Sequence, residues 1–169
     1  MVIHSNIWET AFSRLNNLKW LTITNTLVHF IPENAFDFNE ESEQQLTIRL
    51  YGNKYLNNSG FSENSLTRLK RPTTINLDSG YKPSFVYLDQ RIFEPFLLSN
   101  AKNMIKLYEL SLDCNDCKNY WLQQHPNLHG QVLNSRCSNG NPLDDPTNFI
   151  GCKDGAFNFG QNGTTVVIS

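Results

Sequence analysis

The chain has 169 residues, and its 14 Lys and Arg against 16 Asp and Glu give a formal net charge of −2. This length suits one domain or a short array of repeats, and the 39% of hydrophobic residues argues against a disordered chain. The balanced charge excludes the basic surface that nucleic acids attract, so we expect no nucleic-acid partner.

The start of the chain and its composition indicate the cellular compartment in which the protein resides. Residues 1–6 lack the basic and apolar regions of a signal peptide. No apolar run reaches the roughly 18 residues that cross a bilayer, so we expect no membrane insertion. The 22 Asn residues and the even set of four Cys are typical of a secreted, β-rich protein. We therefore expect the C-terminal part of a secreted protein whose signal peptide is absent from this segment.

Four segments share an alternation of apolar residues, in which every second residue is Leu or Ile. Alternation of this kind predicts strands that bury one face. The first apolar positions of the segments are Leu21, Ile48, Ile75 and Leu110, so the first two intervals are equal and the third is longer. The equal intervals fall within the period of roughly 20 to 29 residues that predicts stacked repeats, and the longer one predicts an insertion.

The first segment carries further matching positions. It contains Leu18-x-x-Leu21-x-Ile23-x-x-Thr26, followed by Ala35-Phe36, a dipeptide that also occurs at Ala11-Phe12. This pattern resembles the leucine-rich repeat family, with Thr26 at the position where the family usually has Asn. The resemblance implies an α/β fold: a right-handed solenoid with a short parallel β-sheet on its concave face, closed by a disulfide-bonded C-terminal cap.

The second and fourth segments place an Asn at the turn that follows the strand. In the second segment this residue is Asn53, and in the fourth the run Leu107-x-x-Leu110-x-Leu112-x-x-Asn115 gives Asn115. An Asn at this turn is expected to bond backbone groups as the chain leaves the strand. Stacked turns would then form a ladder of hydrogen bonds.

The residues between the apolar positions are expected to form the concave face. Solenoids usually bind their ligands there, and Trp, Tyr and Arg tend to dominate interfaces. Taken singly, each of these side chains is more simply explained as a solvated strand residue. The predicted binding residues are Trp20, Thr22, Thr24, Arg49, Tyr51, Asn76, Asp78, Glu109, Ser111 and Asp113.

Residues 91–98 predict a helical or irregular segment that breaks at Pro95. The run Ile92-Phe93-Glu94-Pro95-Phe96-Leu97 is similar to secreted arthropod members of the leucine-rich repeat family, a group that includes the non-catalytic subunit of a shrimp luciferase. That similarity implies an alternative function, in which the chain is an accessory subunit that stabilises a secreted enzyme.

All four cysteines lie in the last third of the chain, at Cys114, Cys117, Cys137 and Cys152. A zinc site would require a second close pair or a nearby His, and His125 and His129 keep a mixed site open. A redox pair should open a helix in a βαβ unit. Disulfides are the third interpretation, and four cysteines allow three connectivities.

The sequence Trp121-Leu122, shortly after Cys117, is similar to the C-terminal cap of extracellular leucine-rich repeat proteins. The resemblance implies the disulfides Cys114–Cys137 and Cys117–Cys152, and a short helix that shields the last repeat. The Cys-x-x-Cys spacing is one residue longer than the usual Cys-x-Cys of the family. The implied organisation is repeats over residues 1–112, a cap over 113–155 and a tail over 156–169.

No catalytic pattern is recognisable, since the chain has no nucleophile elbow, phosphate loop or dinucleotide fingerprint. We therefore expect no enzymatic activity, no metal and no cofactor. The sequons Asn57-Asn58-Ser59 and Asn162-Gly163-Thr164 predict N-glycosylation at Asn57 and Asn162. The predicted function is a secreted binding module that recognises a protein, with a glycan as the alternative ligand, through its concave face.

Overall fold

The computed structural model describes residues 7, 11–15, 17–38, 42–78, 85–108 and 110–152. Within these residues the fold is α/β and contains a five-stranded parallel sheet. The strands are β1 (Trp20–Thr24), β2 (Leu46–Tyr51), β3 (Thr73–Asp78), β4 (Met104–Tyr108) and β5 (Val132–Leu133). The helices are α1 (Gln90–Ser99), α2 (Tyr120–Gln124) and three short 3-10 segments at Cys117–Asn119, Pro126–Gln131 and Ile150–Cys152.

Each strand pairs with the next strand along the chain, so the order of the sheet follows the order of the sequence. The register aligns one apolar position in all five strands, at Leu21, Ile48, Ile75, Ile105 and Val132. The intervals between these positions are nearly equal, and the one from Ile75 to Ile105 is slightly longer than the others. Residues at equivalent positions therefore stand side by side across the sheet.

The fourth strand differs from the prediction. It begins at Met104, so the residue aligned with Ile75 is Ile105 and not Leu110. Asn103 fixes this start, because its Oδ1 accepts from the Thr73 backbone N at 2.9 Å and its Nδ2 donates to the Phe96 carbonyl at 2.7 Å. The third interval is therefore 30 residues (105 − 75) and not 35 (110 − 75), so the predicted insertion before the fourth strand shortens to three residues beyond the first two intervals of 27.

The second apolar alternation, Leu110 and Leu112, is buried beyond the end of β4. Leu112 forms an isolated parallel bridge with Cys137, in which the Leu112 N donates to the Arg136 carbonyl at 2.9 Å. Ser111 and Asp113 flank this bridge and are not part of a sheet strand. Both alternations bury apolar residues, and the hydrogen bonds of Asn103 favour the one that begins at Met104.

The apolar face of the sheet packs on the segments that connect the strands. Ile48 and Ile75 are buried on this face, together with Phe36 and Phe93 from the connections. Phe93 meets Phe61 edge-on, with ring centroids 5.5 Å apart. Burial of each such side chain contributes roughly 1.5–3 kcal/mol, so this layer stabilises the fold.

Helix α1 lies in the connection between β3 and β4 and continues through Pro95, so the predicted break is absent. Asp89 caps the helix, since its Oδ1 accepts from the Arg91 backbone N at 3.1 Å. The buried residues Phe93, Phe96 and Leu97 lie on one face of the helix. Their burial offsets the cost of about 3 kcal/mol that an interior proline imposes.

The turns after β1 and β2 are joined by Asn53. Its Oδ1 accepts from the backbone N and Oγ1 of Thr26 at 3.1 and 2.7 Å, and its Nδ2 donates to the Ile23 carbonyl at 2.6 Å. The predicted hydrogen bonds of this turn are thereby confirmed at Asn53. The predicted counterpart Asn115 lies beyond β4, in the turn that follows Asp113.

The structure contains the disulfides Cys114–Cys137 and Cys117–Cys152, the two pairs that the family resemblance implies. These bonds engage all four sulfurs, which leaves no thiolate for zinc. Helix α2 follows Cys117 and buries Trp121, whose Nε1 donates to the Leu88 carbonyl at 2.9 Å. The parallel sheet extends into this region through β5, which the sequence did not predict.

Candidate functional site: the polar face of the sheet

The second face of the sheet carries mainly polar side chains, which the register arranges in three rows across β1 to β4. We call these residues the polar face. The first row contains Trp20, Thr47, Thr74 and Met104. The middle row contains Thr22, Arg49, Asn76 and Lys106. The last row contains Thr24, Tyr51, Asp78 and Tyr108.

The structure brings together the predicted binding residues of the first three strands: Trp20, Thr22, Thr24, Arg49, Tyr51, Asn76 and Asp78. The predicted residues of the fourth strand are not on this face. Asp113 lies against the connection before α1, where its backbone N donates to the Val86 carbonyl at 2.7 Å. Ser111 is exposed next to the Leu112 bridge, and Glu109 lies outside the described residues.

The residues that β4 places on the polar face are Met104, Lys106 and Tyr108. The sequence pattern does not point to them, because Leu107-x-x-Leu110-x-Leu112 matches the leucine-rich repeat pattern more fully than Met104–Tyr108 does. The spacing of the apolar positions does favour Ile105 as the start of the fourth repeat, since Ile105 follows Ile75 more closely than Leu110 does. The interval that ends at Ile105 is therefore nearer in length to the two earlier intervals.

A cleft of about 340 Å³ lies over the middle and last rows. This volume falls at the lower end of small-molecule sites, which enclose roughly 300–1,000 Å³. Its lining combines hydroxyl, amide, charged and aromatic groups. The lining residues are Thr22, Thr24, Arg49, Tyr51, Asn76, Asp78 and Tyr108.

Charges of both signs meet in this cleft. Arg49 lines the cleft beside Asn76 in the middle row, and Lys106, on the other side of Asn76, lies outside the lining. Asp78 stands in the last row, between Tyr51 and Tyr108. The two tyrosines are 39% and 38% exposed, so their rings form accessible walls on either side of the carboxylate.

Asn76 lies at the floor of the cleft. The residue is only 6% exposed, and its Oδ1 has no hydrogen-bond partner. A buried polar atom without a partner costs about 1–3 kcal/mol relative to a satisfied one, so a donor placed against this oxygen would stabilise the site.

Two further predicted groups lie apart from the cleft. Trp20 is on the polar face in the first row, and 70% of it is exposed. Asn57 is exposed in the turn after β2, where its Oδ1 accepts from the Ser59 backbone N at 2.9 Å. The second predicted glycosylation site, Asn162, lies outside the described residues.

Among the described residues, no group of three or more His, Cys, Asp or Glu side chains is arranged to hold a metal ion. In the same part of the chain, no helix has the length and apolar character needed to cross a membrane. Comparisons with protein-family models, with curated proteins and with solved structures find no significant match. Function is therefore inferred from the geometry of the polar face.

Proposed function

We propose that the chain is a secreted, non-enzymatic binding module of the leucine-rich repeat type, and that its polar face recognises a protein partner. The observation that carries this proposal is the cleft over the middle and last rows, with Arg49, Tyr51 and Tyr108 in its lining. Tyr and Arg are the residue types that supply much of the binding energy in protein interfaces.

The repeat architecture is supported by the order and spacing of the strands. Four consecutive intervals of similar length return the chain to the same side of a parallel sheet. In this proposal the polar face is the concave surface of a right-handed solenoid, which is where such proteins present their ligand-binding residues. The disulfide-bonded segment at the end of the sheet is then its cap.

An interface on the polar face is also supported by exposed aromatic residues. Trp20, Tyr51 and Tyr108 place three large amphipathic side chains on one face of one sheet. A Trp or Tyr that contacts both apolar and polar groups loses little conformational entropy on binding, because its side chain has few rotatable bonds. These residues favour a partner that covers the whole face.

The secreted location is supported by the two disulfides, since disulfides persist in oxidising compartments. In such a compartment the exposed sequon residue Asn57 would carry an N-linked glycan. Expression in a eukaryotic secretory system tests both points. We expect a glycosidase-sensitive mass shift that is reduced in Asn57→Gln, and an unshifted secreted protein would contradict the glycosylation.

The binding proposal is tested by affinity capture from extracellular fluid of the source tissue. Immobilised chain is compared with an Arg49→Ala/Tyr51→Ala variant, which removes one cation and one ring from the cleft. We expect a protein that the wild-type chain retains and that the double variant loses by at least about tenfold, as for interface hot spots.

The matched control is Arg68→Ala/Tyr55→Ala. Both of its residues are exposed in the connection between β2 and β3, outside the cleft, so the same two residue types are removed elsewhere. Retention by this variant, together with loss by the cleft variant, would support the polar face. Equal retention by both variants would contradict it.

A further inference from the structure

The lining of the cleft defines the chemistry of the group that it accepts. Asn76 lines the cleft, and its buried carbonyl oxygen has no hydrogen-bond partner, so a donor that reached this oxygen would be favoured. Arg49, its neighbour in the middle row, also lines the cleft and is a donor that requires an acceptor. A group that satisfies both must therefore offer donors and acceptors within a few ångströms of each other.

The charged residues of the cleft disfavour a ligand that carries a single positive or negative charge. An isolated anion that approaches Arg49 meets the Asp78 carboxylate in the adjacent row. An isolated cation that approaches Asp78 meets the Arg49 guanidinium. A neutral polyhydroxyl group avoids both repulsions, because each of its hydroxyls donates to one side and accepts from the other.

The tyrosines fit the same ligand class. Tyr51 and Tyr108 lie on β2 and β4, two strands apart, which corresponds to a separation of about 10 Å between strands. Two exposed rings at this separation form walls on either side of Asp78. An aromatic wall buries the apolar C–H face of a small ring, while the polar floor bonds the groups on its edge.

We propose that the cleft binds a single saccharide ring, carried by a glycan of the protein partner. This inference rests on the proposed function, because it assigns a contact group to the same polar face. In the bound state Asn76 Oδ1 accepts from one ring hydroxyl, Arg49 donates to a ring oxygen, and Tyr108 stacks on the ring. The partner is accordingly a glycoprotein.

The test uses the methyl glycosides of glucose, galactose, mannose and N-acetylglucosamine as probes. Each is titrated into the oxidised full chain and followed by saturation-transfer NMR of the sugar protons. We expect transfer to at least one glycoside, and we expect Tyr108→Ala to lower it at least fivefold. Tyr55→Ala removes an exposed tyrosine outside the cleft and should leave the signal unchanged.

Asn76→Ala tests the floor of the cleft directly. We expect this variant to lose the transferred signal while its melting temperature stays within a few degrees of the wild-type value. Asn76 is buried, so the substitution can also disturb the fold. Tyr108 lies at the surface, so we expect Tyr108→Ala to fold. The result for Tyr108→Ala therefore tests the saccharide site even if Asn76→Ala fails to fold.

The outcomes separate this inference from the proposed function. Absence of transfer from all four glycosides, together with capture of a partner that survives enzymatic removal of its glycans, would overturn the saccharide site and leave protein binding intact. Loss of partner capture after deglycosylation would support the saccharide site. Absence of both sugar binding and partner capture would overturn both proposals.

Discussion

At the scale of single residues, buried amides link segments that are distant in sequence. Asn53, Asn103 and Asn119 are all buried, and each bonds backbone groups of another segment through both ends of its amide. An amide supplies a donor and an acceptor without the desolvation cost of a charge. This role explains part of the high Asn content. The sequence alone shows the excess of Asn but not the contacts that these residues make.

The substitution Asn53→Ala measures one such link. It removes three hydrogen bonds and leaves groups of Thr26 and Ile23 without their partner. We expect the free energy of unfolding in urea to fall by about 2–4 kcal/mol. Asn64→Ala is the control, because Asn64 is exposed and should cost less than about 0.5 kcal/mol. Similar losses for the two variants would argue against the link.

The cap of α1 gives the stability a dependence on pH. The side-chain hydrogen bond from Arg91 holds the pKa of Asp89 below its usual value of 3.8. Because the folded pKa is depressed, the stabilisation is present above the unfolded value and is lost as the pH falls through the folded pKa.

Asp89→Asn isolates this effect, since Asn also caps helices but does not titrate. We expect wild type to exceed the variant only slightly in free energy of unfolding, because Arg91 is exposed and the ion pair is screened. The difference should be constant from about pH 7 to about pH 5 and shrink below about pH 4. A difference that grows on acidification would refute this assignment.

At the scale of elements, the strands with one unambiguous alternation could be predicted from the sequence. Leu21 and Ile48 belong to two such strands, and the structure places both in the sheet. The region around β4 contains two overlapping alternations, and local pattern cannot choose between them. The choice depends on Asn103, whose bonds to β3 and α1 are visible only in the fold. Strand β5 has two residues, too few to carry an alternation.

Helix α1 provides a matched pair of leucines for testing the packing of an element. Leu97 is 1% exposed in the core, and its neighbour Leu98 is 56% exposed. We expect Leu97→Ala to lower the free energy of unfolding by about 2–5 kcal/mol. Leu98→Ala should change it by no more than about 0.5 kcal/mol. Comparable effects in a denaturant titration would mean that the helix packs through a different face.

At the scale of the whole molecule, the sheet and the disulfide-bonded segment form one continuous structure. Strand β5 lies in the region predicted as the cap, and Leu112 bridges to Cys137 beside it. For the same reason the site was predictable only in part. The polar positions of β1 to β3 followed from their alternation, but the β4 side of the cleft depended on a register that long-range hydrogen bonds set.

Removal of the Cys117–Cys152 disulfide tests how much this bond stabilises the disulfide-bonded segment that follows β4. The bond joins positions with a sequence separation of 35, for which the entropy of loop closure corresponds to about 3–4 kcal/mol. We expect Cys117→Ser/Cys152→Ser to lower the melting temperature while the strand signal in circular dichroism is retained. Addition of reductant should destabilise the variant further, since Cys114–Cys137 remains. A variant as stable as wild type would contradict a stabilising role for the bond.

The central claim is that the ligand contacts the polar face that β4 completes with Tyr108. The most direct test is the dissociation constant of the captured partner, measured for Tyr108→Ala, Ser111→Ala and Asp113→Ala. We predict that Tyr108→Ala weakens the complex at least about tenfold, and that the other two stay within about twofold of wild type. Weakening by Ser111→Ala and Asp113→Ala, with Tyr108→Ala unchanged, would contradict both the register of β4 and the proposed binding face.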